Sequence, residues 1–358
     1  MNKKLAIACA VGALCGVAHA QSNVTMFGVF DIGMLSARAA GNGGITSVNT
    51  DGNTSSRLGF RGVEDLGGGM KAEFWLEAAH NPDTGTGGGT SVDNKTSSNS
   101  GGLTFARRST VGLSGSFGEV RLGRDYTPTF TNLTVAVHPF GTNGVGNAGQ
   151  LFYPVAAGGT TARTNVRASN AINYFTPEMG GFSANIMYAV GEQPSAPALN
   201  KDDGNYFGGR LAYRAGDLTV AAATGKTKYA TGDYTQSNLG VVYQMGPARL
   251  SYLWGENKVG ITKTKINLIG VQFKVSPMGE VRAAYTDLKA TGVANNATQL
   301  AVGYLHNLSK RTALYTNYSV VDNKGTGKQF VVGGTSVPGV VTPGGNSNGF
   351  EVGIRHTF

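Results

Sequence analysis

Phe350-Glu-Val-Gly-Ile-Arg-His-Thr-Phe358 closes the chain, and its reading decides the fold. Phe350, Val352, Ile354 and Phe358 share one side of an extended backbone, while Glu351, Gly353, Arg355 and Thr357 share the other. A period of two marks a strand whose faces meet different surroundings. Met70-Lys-Ala-Glu-Phe-Trp-Leu-Glu77 repeats the pattern, with Met70, Ala72, Phe74 and Leu76 opposite Lys71, Glu73, Trp75 and Glu77. Phe182–Val190, Leu250-Tyr252-Trp254, Val281-Ala283-Tyr285 and Leu300-Val302-Tyr304 follow it.

Outward from these stretches, the alternation predicts sixteen strands near 23–38, 57–66, 70–79, 107–115, 119–127, 167–177, 182–191, 205–214, 218–228, 235–245, 248–257, 264–276, 280–289, 298–308, 312–322 and 349–358. In 264–276 the phase changes near Asn267. Short links such as Gly67-Gly68-Gly69, Gly246-Pro247 and Ser309-Lys310-Arg311 alternate with long polar ones at 39–56, 80–106, 128–166, 192–204 and 323–348. Short turns on one side and long loops on the other define an antiparallel barrel crossing a membrane, with both termini on the short-turn side. A soluble sandwich gives no such alternation, and no fixed repeat supports a β-helix. Tyr188, Tyr252, Trp254, Tyr285, Tyr304, Tyr318, Phe350 and Phe358 recur on the outward phase near strand ends, as aromatic girdles do.

Residues 1–20 are a separate object: Lys3 and Lys4, an apolar run from Leu5 to Val17, then Ala18-His19-Ala20. That is the order of a secretory signal, with the barrel occupying 21–358. Leu14 is too bulky for the position before a lipid-modified cysteine, so Cys15 does not redirect cleavage. Both cysteines, Cys9 and Cys15, fall inside the signal, which excludes disulfides and cysteine metal sites from the rest. The signal also takes two lysines and no acid, lowering the net charge from +9 to +7. No Lys/Arg run of the kind that binds nucleic acid is present. After Ala20 no stretch has eighteen consecutive apolar residues, so no transmembrane helix is expected. Glycine, 55 of 358 residues, has no collagen-like period and falls within and between the alternating segments.

Several blocks resemble the trimeric general porins of Gram-negative outer membranes, most nearly their β-proteobacterial and neisserial branch. They are Val24-Thr-Met-Phe-Gly-Val-Phe-Asp31, Ser56-Arg-Leu-Gly-Phe-Arg-Gly-Val-Glu-Asp-Leu-Gly-Gly-Gly-Met-Lys-Ala-Glu-Phe74, Arg108-Ser-Thr-Val-Gly-Leu, Gly118-Glu-Val-Arg-Leu-Gly-Arg-Asp-Tyr126 and Gly353-Ile-Arg-His-Thr-Phe358. The resemblance implies a sixteen-stranded all-β transmembrane barrel, a homotrimer among outer-membrane lipid and lipopolysaccharide, and passive diffusion without a cofactor. It also implies a third long loop folded into the lumen and an assembly role for Phe358.

That loop follows Tyr126 and departs from cation-favouring members. From Tyr126 through Asn170 it carries no Asp or Glu, but it has Arg163 and Arg167, with His138. A positive local field concentrates anions in the narrowest section. Strand phase turns twelve basic residues inward (Arg57, Arg61, Lys71, Arg108, Arg121, Arg167, Arg210, Arg214, Arg249, Lys274, Arg282 and Arg355). Seven acids share that phase (Asp31, Glu73, Glu77, Glu119, Asp125, Glu280 and Glu351). Arg57, Arg61, Arg108, Arg163 and Arg167 are the expected anion-binding constriction, with Glu77 and Glu119 as counter-charges. Arginine suits the task because its planar fork binds oxyanions and stays charged. Arg214, Arg249, Arg282 and Arg355, close to turns or the chain end, read more simply as solvated or salt-bridged wall residues. Arg124 begins the loop on the outward phase, and its direction is open.

A channel specialised for organic acids or phosphate would look much the same, and an adhesin built on the Gly/Ser/Thr loops is a third class. A sugar channel would show a run of lumen aromatics, of which Trp75 is nearly alone. His80, His138, His306 and His356 belong to no catalytic constellation, and G-x-S-x-G and H-E-x-x-H are absent, so no enzyme is expected. The strands begin too near Asn23 to leave room for the plug of an active transporter.

Overall fold

The computed structural model describes residues 23–88, 94, 102–135, 138–152, 163–194, 200–327, 329–333, 337–340 and 342–358. Residues 1–20 lie outside this set, as does the side chain of Arg163.

The strands are β1 (Asn23–Ala39), β2 (Gly43–Thr50), β3 (Arg57–Gly67), β4 (Met70–Asn81), β5 (Thr86–Gly87), β6 (Arg108–Gly115), β7 (Gly118–Tyr126), β8 (Arg167–Phe175) and β9 (Phe182–Ala189). They continue as β10 (Tyr206–Ala215), β11 (Leu218–Thr227), β12 (Tyr234–Met245), β13 (Ala248–Val259), β14 (Thr262–Lys274), β15 (Gly279–Thr291), β16 (Ala297–Asn307), β17 (Thr312–Asn323) and β18 (Asn346–Thr357). Every pairing is antiparallel, between chain neighbours except that β1 also meets β3 and β4 meets β6, and β1 meets β18 from Val29↔Thr357 to Ala39↔Ser347, which closes the sheet. One half of β1 pairs with β2 and the other with β3, so these two share one wall position, while β5 is a spur on β4. The result is a closed sixteen-strand antiparallel barrel.

Closure removes the open edges that a lipid bilayer would leave unsatisfied. The outward phase carries exposed Met34, Ile172, Leu211, Ile269, Leu300 and Val352. Of the expected girdle, Tyr188, Tyr252, Tyr285, Tyr318, Phe350 and Phe358 are exposed, and Trp254 and Tyr304 are half-buried. Gly67, Gly68 and Gly69 close the β3–β4 hairpin with φ of 81°, 60° and 80°, a left-handed run that glycine adopts without a steric penalty.

Three sequence expectations change. The link 39–56 contains β2, whose Gly-rich start hides its alternation. The β13–β14 link is only Gly260-Ile261, so loop asymmetry is weaker there. Strand β14 keeps its register with both neighbours, and no phase change occurs at Asn267. Ile266 and Leu268 mimic one because they point inward and are buried.

Their burial has a cause inside the barrel. The described residues between β7 and β8, 127–135, 138–152 and 163–166, include ones that lie against the inward phase of the opposite wall. Asn132 Nδ2 donates to the Ala221 carbonyl (2.9 Å) and to Asn238 Oδ1 (2.7 Å), and Arg210 Nε donates to Asn132 Oδ1 (3.1 Å). Asn257 Nδ2 donates to the Phe152 carbonyl (2.8 Å), and Gln299 Nε2 to the carbonyls of Val145 (3.2 Å) and Asn147 (3.0 Å). The Val145 amide donates to Glu351 Oε1 at 3.0 Å. Leu133, Phe140, Leu151 and Phe152 of this loop join Leu253, Ile266, Leu268 and Leu288 of the wall, with Phe330 and Val332 of the last long loop, in one buried cluster. Each such side chain contributes on the order of 1.5–3 kcal/mol on burial.

Candidate functional site: an arginine wall beside the third loop

Phe60 and Leu76 turn outward, so Arg61, Trp75 and Glu77 turn inward on β3 and β4. Arg61 lies over the rings of Phe27 (5.6 Å) and Trp75 (5.4 Å), and Arg108 over Trp75 (4.7 Å). Arg61 is exposed and makes no ion pair among the described residues.

Two chains of charge run along this wall. In the first, Glu77, with its side chain 6% exposed, accepts from Arg107 Nε at 2.6 Å and lies 3.5 Å from Arg57 Nη1. Trp75 Nε1 donates to its other oxygen at 3.3 Å. Arg107 Nη2 continues to the Tyr126 hydroxyl (3.0 Å), which also accepts from Arg167 Nη2 (3.0 Å). Arg167 stacks on the Tyr126 ring at 4.5 Å, and Tyr126 stacks on Phe130 of the loop at 5.0 Å. One buried carboxylate therefore serves Arg57 and Arg107 directly and is linked to Arg167 through a phenol. The second chain is Glu119–Arg121–Asp125–Arg108: Arg121 contacts Glu119, reaches Asp125 at 3.2 Å and Glu73 at 3.8 Å, and Asp125 is 3.7 Å from Arg108.

The structure thus gathers Arg57, Arg61, Arg108 and Glu77 as strand phase suggested. Arg108 also ends the Arg121 chain, at whose other end, near the short β6–β7 turn, lies Glu119. Arg167 joins for a different reason than phase. Asn170, at φ 57°, makes a bulge in β8, so Ala168 pairs with inward Asp125 and Arg167 pairs with Tyr126. The bulge breaks the alternation, and stacking on Tyr126 sets the guanidinium instead. Arg107 was missed because it reads as the outward first residue of a strand. In fact β6 begins at Arg108, leaving Arg107 free to turn toward Glu77. Arg163 lies in a 3₁₀ turn, Arg163–Asn165. Arg124 donates to the Ala106 carbonyl (2.6 Å) and to Ser169 Oγ (2.8 Å), holding the second long loop to β8.

Two expected lumen acids do other work. Asp31 is fully buried, and its oxygens accept the amides of Gly52 (3.1 Å), Asn53 (3.1 Å) and Thr54 (2.7 Å) and the Tyr315 hydroxyl (2.7 Å). Glu351 anchors the third loop through Val145 and accepts from Asn317 Nδ2 at 2.7 Å. His138 is buried edge-on to Phe140 and Phe152. Burial pushes its imidazole down to about 3, so it adds no charge to the loop. Inward aromatics also exceed the sequence count: Phe27 packs on Trp75 at 4.9 Å, and Tyr206, Tyr234 and Tyr315 are buried in the wall. Among the described residues no cluster of His, Cys, Asp or Glu is arranged to hold a metal.

A closed barrel with an apolar exterior, a charged inner wall and a loop packed inside it defines a channel-forming outer-membrane protein. A family model described as Gram-negative porin matches residues 6–326. The chain is 39% identical over 367 residues to outer membrane porin protein 32 of Delftia acidovorans, covering 99% of this chain and 100% of that protein. It is 26% identical to major outer membrane protein P.IB of Neisseria lactamica, covering 99% of this chain and 100% of that one. The solved structure of the anion-selective porin from Comamonas acidovorans superimposes with a TM-score of 0.81 at 36% identity, covering 94% of this chain and 100% of that one. The chain belongs to the Gram-negative porin family and is a multi-pass protein of the outer membrane.

Proposed function

We propose that this porin is an anion-preferring diffusion pore for small inorganic and organic anions, with Arg57, Arg61, Arg108, Arg163 and Arg167 forming its constriction. The carrying observation is the arginine wall, in which Arg57 and Arg107 share the one carboxylate of Glu77 beside a loop without acids from Tyr126 to Asn170. Arg61, Arg107 and Tyr126-held Arg167 supply positive charge that Glu77 only partly offsets. Ions pass because exposed guanidinium contacts are weak and multiple. The solved anion-selective relative supports the same sign. On this reading residues 1–20 are a cleaved signal, the short turns and both termini face the periplasm, Phe358 serves assembly, and the barrel works as a homotrimer. The role is transport without catalysis.

The test is the reversal potential of the purified protein in planar bilayers under a potassium chloride gradient. A chloride-directed potential is expected, and a potassium-directed one refutes the anion reading while leaving the porin family intact.

A further inference from the structure

Beyond the constriction, a second basic group lies on the other side of the third loop. Arg355 is on β18, four residues from the loop anchor Glu351, or about 13 Å along the strand toward the short-turn end. Its Nε is buried without a hydrogen-bond partner, and its Nη1 reaches only Asn53 Oδ1 at 3.4 Å. Asp31 is its partner in the β1–β18 register. That acid's oxygens are already engaged by three backbone amides and Tyr315. The same clamp, by fixing residues 52–54, holds Asn53 beside the guanidinium.

The charge of Asp31 still acts on Arg355, and that of Arg282, on β15, acts on it less strongly. Arg282 Nε donates to Glu280 Oε1 at 2.7 Å, and that oxygen also accepts from Gln272 Nε2 at 3.1 Å. Between β15 and β18 the wall is the buried patch of Leu305, Ala313 and Tyr315, which offers no acid. Glu280 is therefore the one carboxylate directly paired in this Arg282–Arg355 group among the described residues.

We propose that Arg355 and Arg282 form an oxyanion transit site on the short-turn side of the third loop, receiving carboxylate or phosphate oxygens after or before the constriction. Beyond its contact with Asn53, the planar fork of Arg355 keeps its Nε donor without an acceptor among the described residues, and Arg282 adds a second charge. Partial exposure keeps the hold weak enough for release. The proposal rests on the pore reading above and adds a second binding position to it.

The experiment is block of single-channel chloride current by phosphate or by acetate, each added to one side at a time. A Lys310→Cys variant, labelled by an impermeant thiol reagent, reports which side carries the short turns. Block by at least one of the anions is expected, stronger from the short-turn side. Arg355→Gln and Arg282→Gln are each expected to raise the half-blocking concentration from that side about fivefold. Arg355→Lys, which keeps charge but loses the fork, should fall between. Block by neither anion, block without side dependence, or half-blocking concentrations unchanged in both glutamine variants would overturn the site. Absence of any channel current would instead refute the pore reading, so the two failures are distinct.

Discussion

The two halves of the inner wall obey the same alternation and end in opposite states. On β3–β8 the inward residues include Arg57, Glu77, Arg108 and Arg121, arranged in ion chains along the wall, and Arg61, stacked on Phe27 and Trp75. On β13–β17 the inward phase includes Leu253, Ile266, Leu268, Ala301 and Val321, dry beneath two loops. Pointing inward therefore does not mean facing water. The apolar half holds the loop, and the loop in turn confronts the charged half.

Breaking the dry half should have the largest effect. Leu268→Ala or Phe330→Ala removes a fully buried side chain, at a cost of about 2–5 kcal/mol. The expected outcome is a loosened third loop, read as larger and noisier single-channel conductance. Unchanged conductance would show that the amide contacts alone hold the loop.

On the charged half, Glu77→Gln leaves Arg57 and Arg107 without their carboxylate. A buried pair broken on one side costs about 3 kcal/mol. Lower resistance to urea is expected together with a reversal potential shifted further toward chloride. A shift toward potassium would reverse the role assigned to Glu77.

Acid should loosen the loop through His138. Its folded value of about 3 lies below the ordinary 6.5, so the folded loop favours the neutral ring. That preference is fully present above 6.5 and is lost progressively as pH falls from 6.5 toward 3. Conductance noise should rise over that window and flatten in His138→Phe; equal pH profiles for the two proteins would remove the histidine from the account.

Smaller effects are expected from single arginines. Arg57→Ser, Arg61→Ser and Arg108→Ser should each reduce chloride preference by a few millivolts of reversal potential, because about 1 kcal/mol or less attaches to a partly solvated charge. Arg61, which has no ion pair among the described residues, should matter most of the three. Raising salt from about 0.1 M to 1 M shortens the screening length from about 10 Å to 3 Å and should shrink all three differences. A salt-independent preference would point to size selection rather than charge.

Much of this was legible in the chain. The segments 70–79, 182–191 and 349–358 announce themselves because side chains alternate with the pleat whatever the strand packs against. Arg57, Arg61, Arg108 and Glu77 followed from the same rule. The rule failed where the backbone leaves regular geometry: at Asn170, whose bulge displaces Arg167, and at Arg107, which sits just before its strand. It failed again at Ile266 and Leu268, where inward apolar residues looked like a change of phase.

The sequence by itself determined the barrel, its inward charges and an acid-free third loop, since period and composition are local properties. Only the tertiary structure decided which inward residues are wet. That depends on where the described part of the third loop comes to rest, through contacts such as Asn132 with Asn238, Val145 with Glu351 and Phe152 with Asn257, between positions on average about 140 residues apart. Pairings over such separations leave no periodic trace in the chain, because they are fixed by the shape of the closed wall and not by neighbours along it.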